Sequence, residues 1–195
     1  MAPHFRLRKC GRIVDTIAQG RKCDLLDVGC GPATLRSVLA DNIRYYGIDL
    51  AIHIPADYLL EVDILKAPIA FGTMTFDIVV AQGLFEYVGS QQSEKLREIA
   101  QILRPDGTFI VTYTNFGHRD SRMFEAYSNV QPLDDFRQDL ARYFRIRRSF
   151  PTSHNWHGGQ PWRRAAMAVN MPVTPSIPVV SRKLAVEYFF ICSAR

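Results

Sequence analysis

Asp27, Gly29, Gly31 and Asp49 have the types and spacing of a ligand-binding turn followed by an acid. The first three lie in Leu25-Leu26-Asp27-Val28-Gly29-Cys30-Gly31-Pro32-Ala33-Thr34-Leu35, an apolar run that enters a turn and then a stretch suited to a helix. A turn passing close under a ligand needs residues without a Cβ, which accounts for both glycines. Asp49 comes 20 residues after Gly29, at the end of the next apolar run, where a carboxylate can accept both hydroxyls of a ribose. The chemistry indicated is the binding of a nucleoside-containing ligand. Thr34 stands where a dinucleotide fingerprint has its third glycine, so NAD is disfavoured.

Groups able to move a proton are fewer. Glu86 and Tyr87 follow the fourth apolar run, and either could orient or deprotonate an acceptor; the rival readings are a helix-start charge and a packed aromatic. His118 could be a base or acceptor contact, or an ordinary loop histidine. The segment 151–182, carrying His154, Trp156, His157 and Trp162, reads as a long loop that is either a lid and acceptor wall or an association surface of a homodimer. The cysteines Cys10, Cys23, Cys30 and Cys192 have no metal-ligand spacing, and no metal site is expected.

These residues require elements to hold them. Seven short apolar runs read as strands: Asp24 to Val28, Arg44 to Asp49, Tyr58 to Val62, Phe76 to Ala81, Thr108 to Tyr113, Phe144 to Phe150 and Leu184 to Cys192. Between them lie stretches of helical period. Pro32 to Ala40 is expected as a helix with proline in its first turn, Ser90 as the cap of a helix whose stripe is Leu96, Ile99, Ala100 and Leu103, and Leu133 to Tyr143 as another. Arg104-Pro105-Asp106-Gly107 is expected as a turn. Alternation of this kind predicts an α/β domain with a parallel sheet, here of seven strands. One domain over 1–195 is expected, with 1–22 as an N-terminal helical segment.

At this point the sequence resembles the class I S-adenosylmethionine-dependent methyltransferases, of the methyltransferase type 11 or MetW-like group. The resemblance is good over residues 23–114, and it implies an α/β, Rossmann-like seven-stranded, mostly parallel sheet with helices on both faces and an antiparallel last strand. It implies S-adenosylmethionine as cofactor, Asp27, Gly29, Cys30 and Gly31 around its methionine moiety, and Asp49 with Leu50 at the ribose. It further implies an adenine contact from Asp63 and Ile64 in Val62-Asp63-Ile64, and cofactor and acceptor lining by Gln82 and Phe85. Ile102-Leu103-Arg104-Pro105-Asp106-Gly107-Thr108 resembles the family's structural "LLxPGG" turn, with Asp106 in place of the usual glycine. Asn115-Phe116-Gly117-His118 is similar to a segment of MetW-type methyltransferases. Only 13 residues separate Asp49 from Asp63, and Pro55 is among them, so the family's usual helix is not expected there. Gln82-Gly83-Leu84-Phe85 stands where many amino-group methyltransferases of DNA, RNA or protein have Asn-Pro-Pro-Tyr, which favours a small-molecule acceptor.

Composition narrows the rest. The chain has 195 residues, 47% hydrophobic and 22% charged, the balance of a globular protein with a sizeable core. No run resembles a membrane span or a signal-peptide core, so a cytoplasmic protein is expected. The net charge of +5 and the arginines at 142, 145, 147 and 148 leave nucleic acid open as a partner but do not favour it. Methyl transfer to a small molecule is the leading reading; an RNA or protein acceptor, and a non-catalytic S-adenosylmethionine-binding regulatory or partner protein, remain beside it.

Overall fold

The computed structural model describes residues 5–114, 131–154 and 185–195. In chain order the elements are α1 (Phe5–Ala18), β1 (Cys23–Val28), β2 (Ile43–Asp49), β3 (Leu59–Glu61), β4 (Phe76–Ala81), α2 (Gln92–Ile102), β5 (Leu103–Thr114), α3 (Leu133–Tyr143), β6 (Phe144–His154) and β7 (Ala185–Ala194). Short 3₁₀ turns at Thr34–Val38, Phe85–Tyr87 and Gly89–Gln91 join them.

The seven strands form one sheet in the order β3-β2-β1-β4-β5-β7-β6. The pairings from β3 to β5 are parallel, and β7 runs antiparallel to both β5 and β6. The expected Rossmann-like sheet with an antiparallel last strand is therefore present. β1 is buried at every residue because it lies in the centre, covered on both faces. Its alternation splits the core. Leu26 and Val28 point with Val79, Ala81, Phe109 and Val111 toward α2 and α3; Leu25 points with Ile78, Val80 and Ile110 toward Cys10, Val14 and Ala18 of α1.

Several expected elements are altered. Pro32 to Ala40 is not an α-helix: Ala33 takes a left-handed conformation at φ 54°, and only the 3₁₀ turn Thr34–Val38 follows. A residue with positive φ cannot be the first turn of a right-handed helix, and the connection is too short to restart one. Its close fit against α1 needs Gly11, where a Cβ would sit 2.7 Å from the Val38 carbonyl oxygen. Ser90 caps nothing, since it lies within the 3₁₀ turn Gly89–Gln91 and α2 begins at Gln92 without a side-chain cap. Leu103 belongs to β5 rather than α2, paired with Phe76, and Arg104 to Gly107 form a register irregularity in that strand. The loop expected from 151 does not start there, because β6 continues to His154, which pairs with Ala185; the rest of the expected loop lies outside the described residues. No helix among the described residues is long and apolar enough to cross a membrane.

The register aligns Val28 with Ile48 and with Ala81, and Ala81 with Val111. The carboxyl ends of β1, β2, β4 and β5 thus share one edge of the sheet. In open α/β sheets ligands bind outside that edge, where the strand order reverses, which here lies between β1 and β4.

Candidate functional site

Gly29 and Gly31 carry the chain out of β1 at φ 74° and 53°, a region that L side chains enter only with strain. The two glycines differ in their surroundings. A Cβ at Gly29 would lie 2.9 Å from Leu84 Cδ1, whereas one at Gly31 would meet nothing within 4 Å. Gly29 is thus required by packing as well as by conformation, and Gly31 opens on free space. The Gly29 and Cys30 amides donate to the Ile48 carbonyl at 2.8 and 3.1 Å, tying the turn to the end of β2. Asp49, the next residue, accepts the Gly31 amide on Oδ2 at 2.7 Å and the Ala51 amide on Oδ1 at 3.4 Å. Each carboxylate oxygen has a second lone pair. The same acid can therefore brace the turn and accept a ligand's hydroxyls, and the apolar Leu50 beside it is exposed.

Beneath the turn lies a buried polar pair. Asp27 is 4% exposed and accepts the Tyr45 hydroxyl at 2.9 Å. Burial pushes its carboxyl up to about 7; the Tyr45 hydrogen bond opposes this, the charge of Asp49 adds to it, and Arg6 opposes it. Burial likewise raises the Cys30 thiol to about 12, with Asp27 and Asp49 adding, so it is no nucleophile at neutral pH. Cys30 fits because β2 has Gly47 opposite, where a Cβ would stand 2.8 Å from the sulfur and 2.8 Å from Leu59 Cδ2. Gly47 escaped sequence reasoning, although a glycine inside a strand is itself a sign of close approach.

On the β3 side, Asp63 accepts the Leu65 amide at 3.1 Å and the Lys66 ammonium at 2.8 Å. Its own carbonyl accepts the amides of Lys66 and Ala67, so the residue organises a turn. Ile64 packs against the larger core cluster while Leu50, Ile54, Leu60 and Leu65 are exposed. No helix forms between Asp49 and Leu59.

The segment after β4 is built differently. Gly83, at φ 63°, donates its amide to Thr112 Oγ1 at 2.9 Å. Phe85 is fully buried, with its ring 5.4 Å from that of Phe136 and 6.4 Å from that of Phe109; it anchors the segment in the core. The neighbouring Tyr87 is exposed. Glu86 is 4% exposed. Its Oε1 accepts the Thr114 amide at 2.9 Å and the Thr114 hydroxyl at 2.8 Å, while Oε2 is buried with no partner among the described residues. Gln82 Oε1 is buried and unpartnered in the same way. Burial holds the Glu86 carboxyl above the usual range, hydrogen bonds from its own backbone amide and from Thr114 pull the other way, and the charge of Glu187 adds to the rise. Glu187 lies opposite Thr114 in the β5–β7 pairing and binds Arg6 of α1 at 2.8 Å. The Arg6 guanidinium would also lie 3.2 Å from a Cβ at Gly83. Arg6 and Glu187 were not foreseen. The signal was an acid inside the apolar run of β7, which needs a partner when buried.

The structure thus brings Asp27, Gly29, Cys30, Gly31 and Asp49 into one turn, with Gln82 and Glu86 at the end of the adjacent strand. His118 and Trp156 lie outside the described residues, and His154 is placed only by its backbone at the end of β6. Among the described residues no group of three or more His, Cys, Asp or Glu could hold a metal ion.

Sheet order, antiparallel β7 and a glycine turn at the switch point define the class I S-adenosylmethionine-dependent methyltransferase fold. Residues 26–111, from β1 into β5, match a family model described as "Methyltransferase domain". Among solved structures it is similar to a TehB-like SAM-dependent methyltransferase from Corynebacterium glutamicum, with 18% identity, TM-score 0.62 and coverage of 98% of this chain and 88% of that one. It is also similar to the N-methyltransferase NodS from Bradyrhizobium japonicum, solved with S-adenosyl-L-homocysteine, at 12% identity, TM-score 0.61 and coverage of 99% and 89%. A third is the 1,6-didemethyltoxoflavin-N1-methyltransferase of Burkholderia thailandensis, solved with its namesake compound and S-adenosylhomocysteine, at 15% identity, TM-score 0.63 and coverage of 97% and 78%. No curated protein matches the chain by sequence.

Proposed function

We propose that this chain is an S-adenosylmethionine-dependent methyltransferase that acts on a small-molecule acceptor. The observation carrying the proposal is the turn at the switch point: Asp49 at the end of β2 holds the Gly31 amide at 2.7 Å, beside a glycine whose missing Cβ faces open space. In this reading Asp49 also takes the ribose hydroxyls, Gly29 to Gly31 pass under the methionine moiety, and Leu50 lies along the nucleoside. Asp63 keeps lone pairs beyond those given to Leu65 and Lys66, and with Ile64 it forms the adenine side. S-adenosylmethionine, when bound, supplies a methyl group already activated as a sulfonium. What remains for the protein is to hold a nucleophile in line with that methyl, and the residues placed to do so follow β4, among them Glu86. The acceptor bound in the Burkholderia thailandensis structure is a small molecule, which supports the same class here. A cytoplasmic location belongs to this reading.

Titration calorimetry of the full chain with S-adenosylhomocysteine tests it, with Asp49→Ala and NADH as comparisons. Binding that weakens roughly 100-fold in the variant is expected, the loss of hydrogen bonds to a charged acceptor. Absence of binding to the unaltered chain, or tighter binding of NADH, would overturn the proposal.

A further inference from the structure

The segment 62–75 joins β3 to β4 with no strand or helix of its own, so its backbone amides and carbonyls need partners from elsewhere. Three of them come from Gln91, Lys95 and Glu98, whose spacing puts their side chains one above another along α2 and the turn that leads into it. Gln91 Nε2 donates to the Leu65 carbonyl at 3.4 Å, Lys95 Nζ donates to the Ala67 carbonyl at 3.3 Å, and Glu98 Oε2 accepts the Ile69 amide at 3.0 Å. Lys95 and Glu98 are both buried, 3% and 7% exposed, and bind each other at 2.9 and 3.0 Å. A buried ion pair is a poor source of stability, since apolar side chains of similar volume often do as well. What this pair supplies and apolar side chains cannot is a donor and an acceptor for two backbone groups of one loop. Ala67 carries the grip onward, because its amide donates to the Asp63 carbonyl at 3.0 Å. On the other side of Asp63 the Val62 amide donates to the Asp49 carbonyl at 2.7 Å. Asp63 and Ile64 are therefore held between the end of β2 and a buried charge pair on α2.

We infer that Lys95 and Glu98 are positioning residues for the base of the cofactor: through Ala67 and Ile69 they fix the turn that presents Asp63 to the exocyclic amine and Ile64 to the ring. The inference rests on the methyltransferase reading, in which Asp63 and Ile64 form the adenine side. A hydrogen bond discriminates between bases only when its acceptor keeps a narrow range of distance and direction. The carboxylate of Asp63 does not set its own position, because its partners, the Leu65 amide and the Lys66 ammonium, belong to the same turn and move with it. The place of the turn relative to Asp49, which takes the ribose, is set by contacts that leave the turn. Ile64 and Ile69 pack in the core, but apolar contacts are non-directional and tolerate sliding. The donor of Lys95 and the acceptor of Glu98, locked to each other and to α2, fix direction as well as distance.

The test uses the full chain and three ligands: S-adenosylhomocysteine, S-inosylhomocysteine, in which an oxygen replaces the exocyclic amine, and S-ribosylhomocysteine, which has no base. The unaltered chain should bind the first roughly tenfold tighter than the second, the loss of one hydrogen bond to a carboxylate. The double variant Lys95→Leu/Glu98→Leu replaces the pair with apolar side chains and should fold. It should lose most of that preference while its affinity for S-ribosylhomocysteine stays the same. Glu98→Gln keeps an acceptor for the Ile69 amide and should retain the preference to within about threefold. A pair that served only as a strut would lower the melting temperature of the double variant and leave the three affinities in their original proportion, which would overturn the assignment. If the double variant does not fold, hydrogen exchange in the unaltered chain decides. S-adenosylhomocysteine should slow exchange of the Ala67 and Ile69 amides more than S-ribosylhomocysteine does, and equal protection by the two would overturn the assignment. Failure of the unaltered chain to bind either S-adenosylhomocysteine or S-ribosylhomocysteine would count against the cofactor site itself. Binding of S-adenosylhomocysteine with no preference over S-inosylhomocysteine would overturn the positioning of the base alone.

Discussion

Asp24 and Asp27 sit three residues apart on β1, both buried, and their carboxyls are displaced in opposite directions. Asp24 lies at the amino edge of the sheet. Arg44 and Arg104 each donate to it, and Arg104 reaches on to Asp77, which in turn accepts the Asp24 amide. Burial would raise the Asp24 carboxyl, but these hydrogen bonds and charges outweigh it and hold the group below the usual carboxylate range. At the other end of the strand Asp27 has one hydroxyl, from Tyr45, and the charge of Asp49 nearby. The two ends differ in satisfaction rather than in composition. The amino edge is a closed ion network that joins β1, β2, β4 and β5, whereas the carboxyl edge keeps under-partnered carboxylates and open space. Native structures leave buried polar groups unsatisfied where a ligand is to satisfy them, at a cost in stability.

If that contrast is right, the two aspartates respond to replacement with opposite signs. For Asp27 the carboxyl is near 3.8 in the unfolded chain and raised to about 7 in the folded protein. The folded state then holds a proton that the unfolded state has lost, so stability falls as pH rises between those values. Asp27→Asn should accordingly stabilise the chain at pH 8 by on the order of 3 kcal/mol, and the gain should vanish near pH 4. Urea unfolding across that range checks it, and a gain independent of pH would remove Asp27 from the argument. Asp24→Ala should destabilise by about 2 kcal/mol, since it strands Arg104 and Arg44 and leaves part of their interaction to solvent. The contribution of Asp24 is present above 3.8 and is lost as pH falls through its lower folded value. Affinity for S-adenosylhomocysteine should not change in this variant. A large loss of affinity would mean that the amino edge takes part in binding.

A smaller effect separates the two glycines. Gly31→Ala meets no neighbour and carries only the strain of its positive φ, about 1 kcal/mol in thermal unfolding. Gly29→Ala adds to the same strain a contact of 2.9 Å with Leu84, so its loss should be the larger of the pair. Equal losses would show that Leu84 gives way.

The legibility of the chain follows the same division. The strands were readable because a doubly covered parallel sheet demands continuous apolar runs, as in Phe76 to Ala81, and the glycine turn was readable because its φ values exclude most other residues. The helix expected at Pro32 to Ala40 was not, because a left-handed Ala33 is a decision of the turn geometry that propensity does not record. Arg6 and Glu187 meet across nearly the whole length of the chain, and no local pattern announces such a pair. Glu86 was visible as an acid after β4; that one of its oxygens is anchored and the other is not is a property of packing alone.

That half-anchored state leads to the weakest stability effect and the sharpest separation of roles. Glu86 is raised above its unfolded value of 4.5 by burial, so ionising it costs the folded state more than the unfolded one, and this cost grows as pH rises from that value. The two hydrogen bonds from Thr114 return part of it. Glu86→Gln keeps one of its oxygens for Thr114 and removes the charge, and its stability should therefore lie within about 1 kcal/mol of the unaltered chain at pH 7, slightly in its favour. A structural Glu86 would behave otherwise, because weakening a strut between the 3₁₀ turn and β5 should lower the melting temperature at every pH. A variant that folds as well as its parent at every pH would show that Glu86 is no strut of the frame.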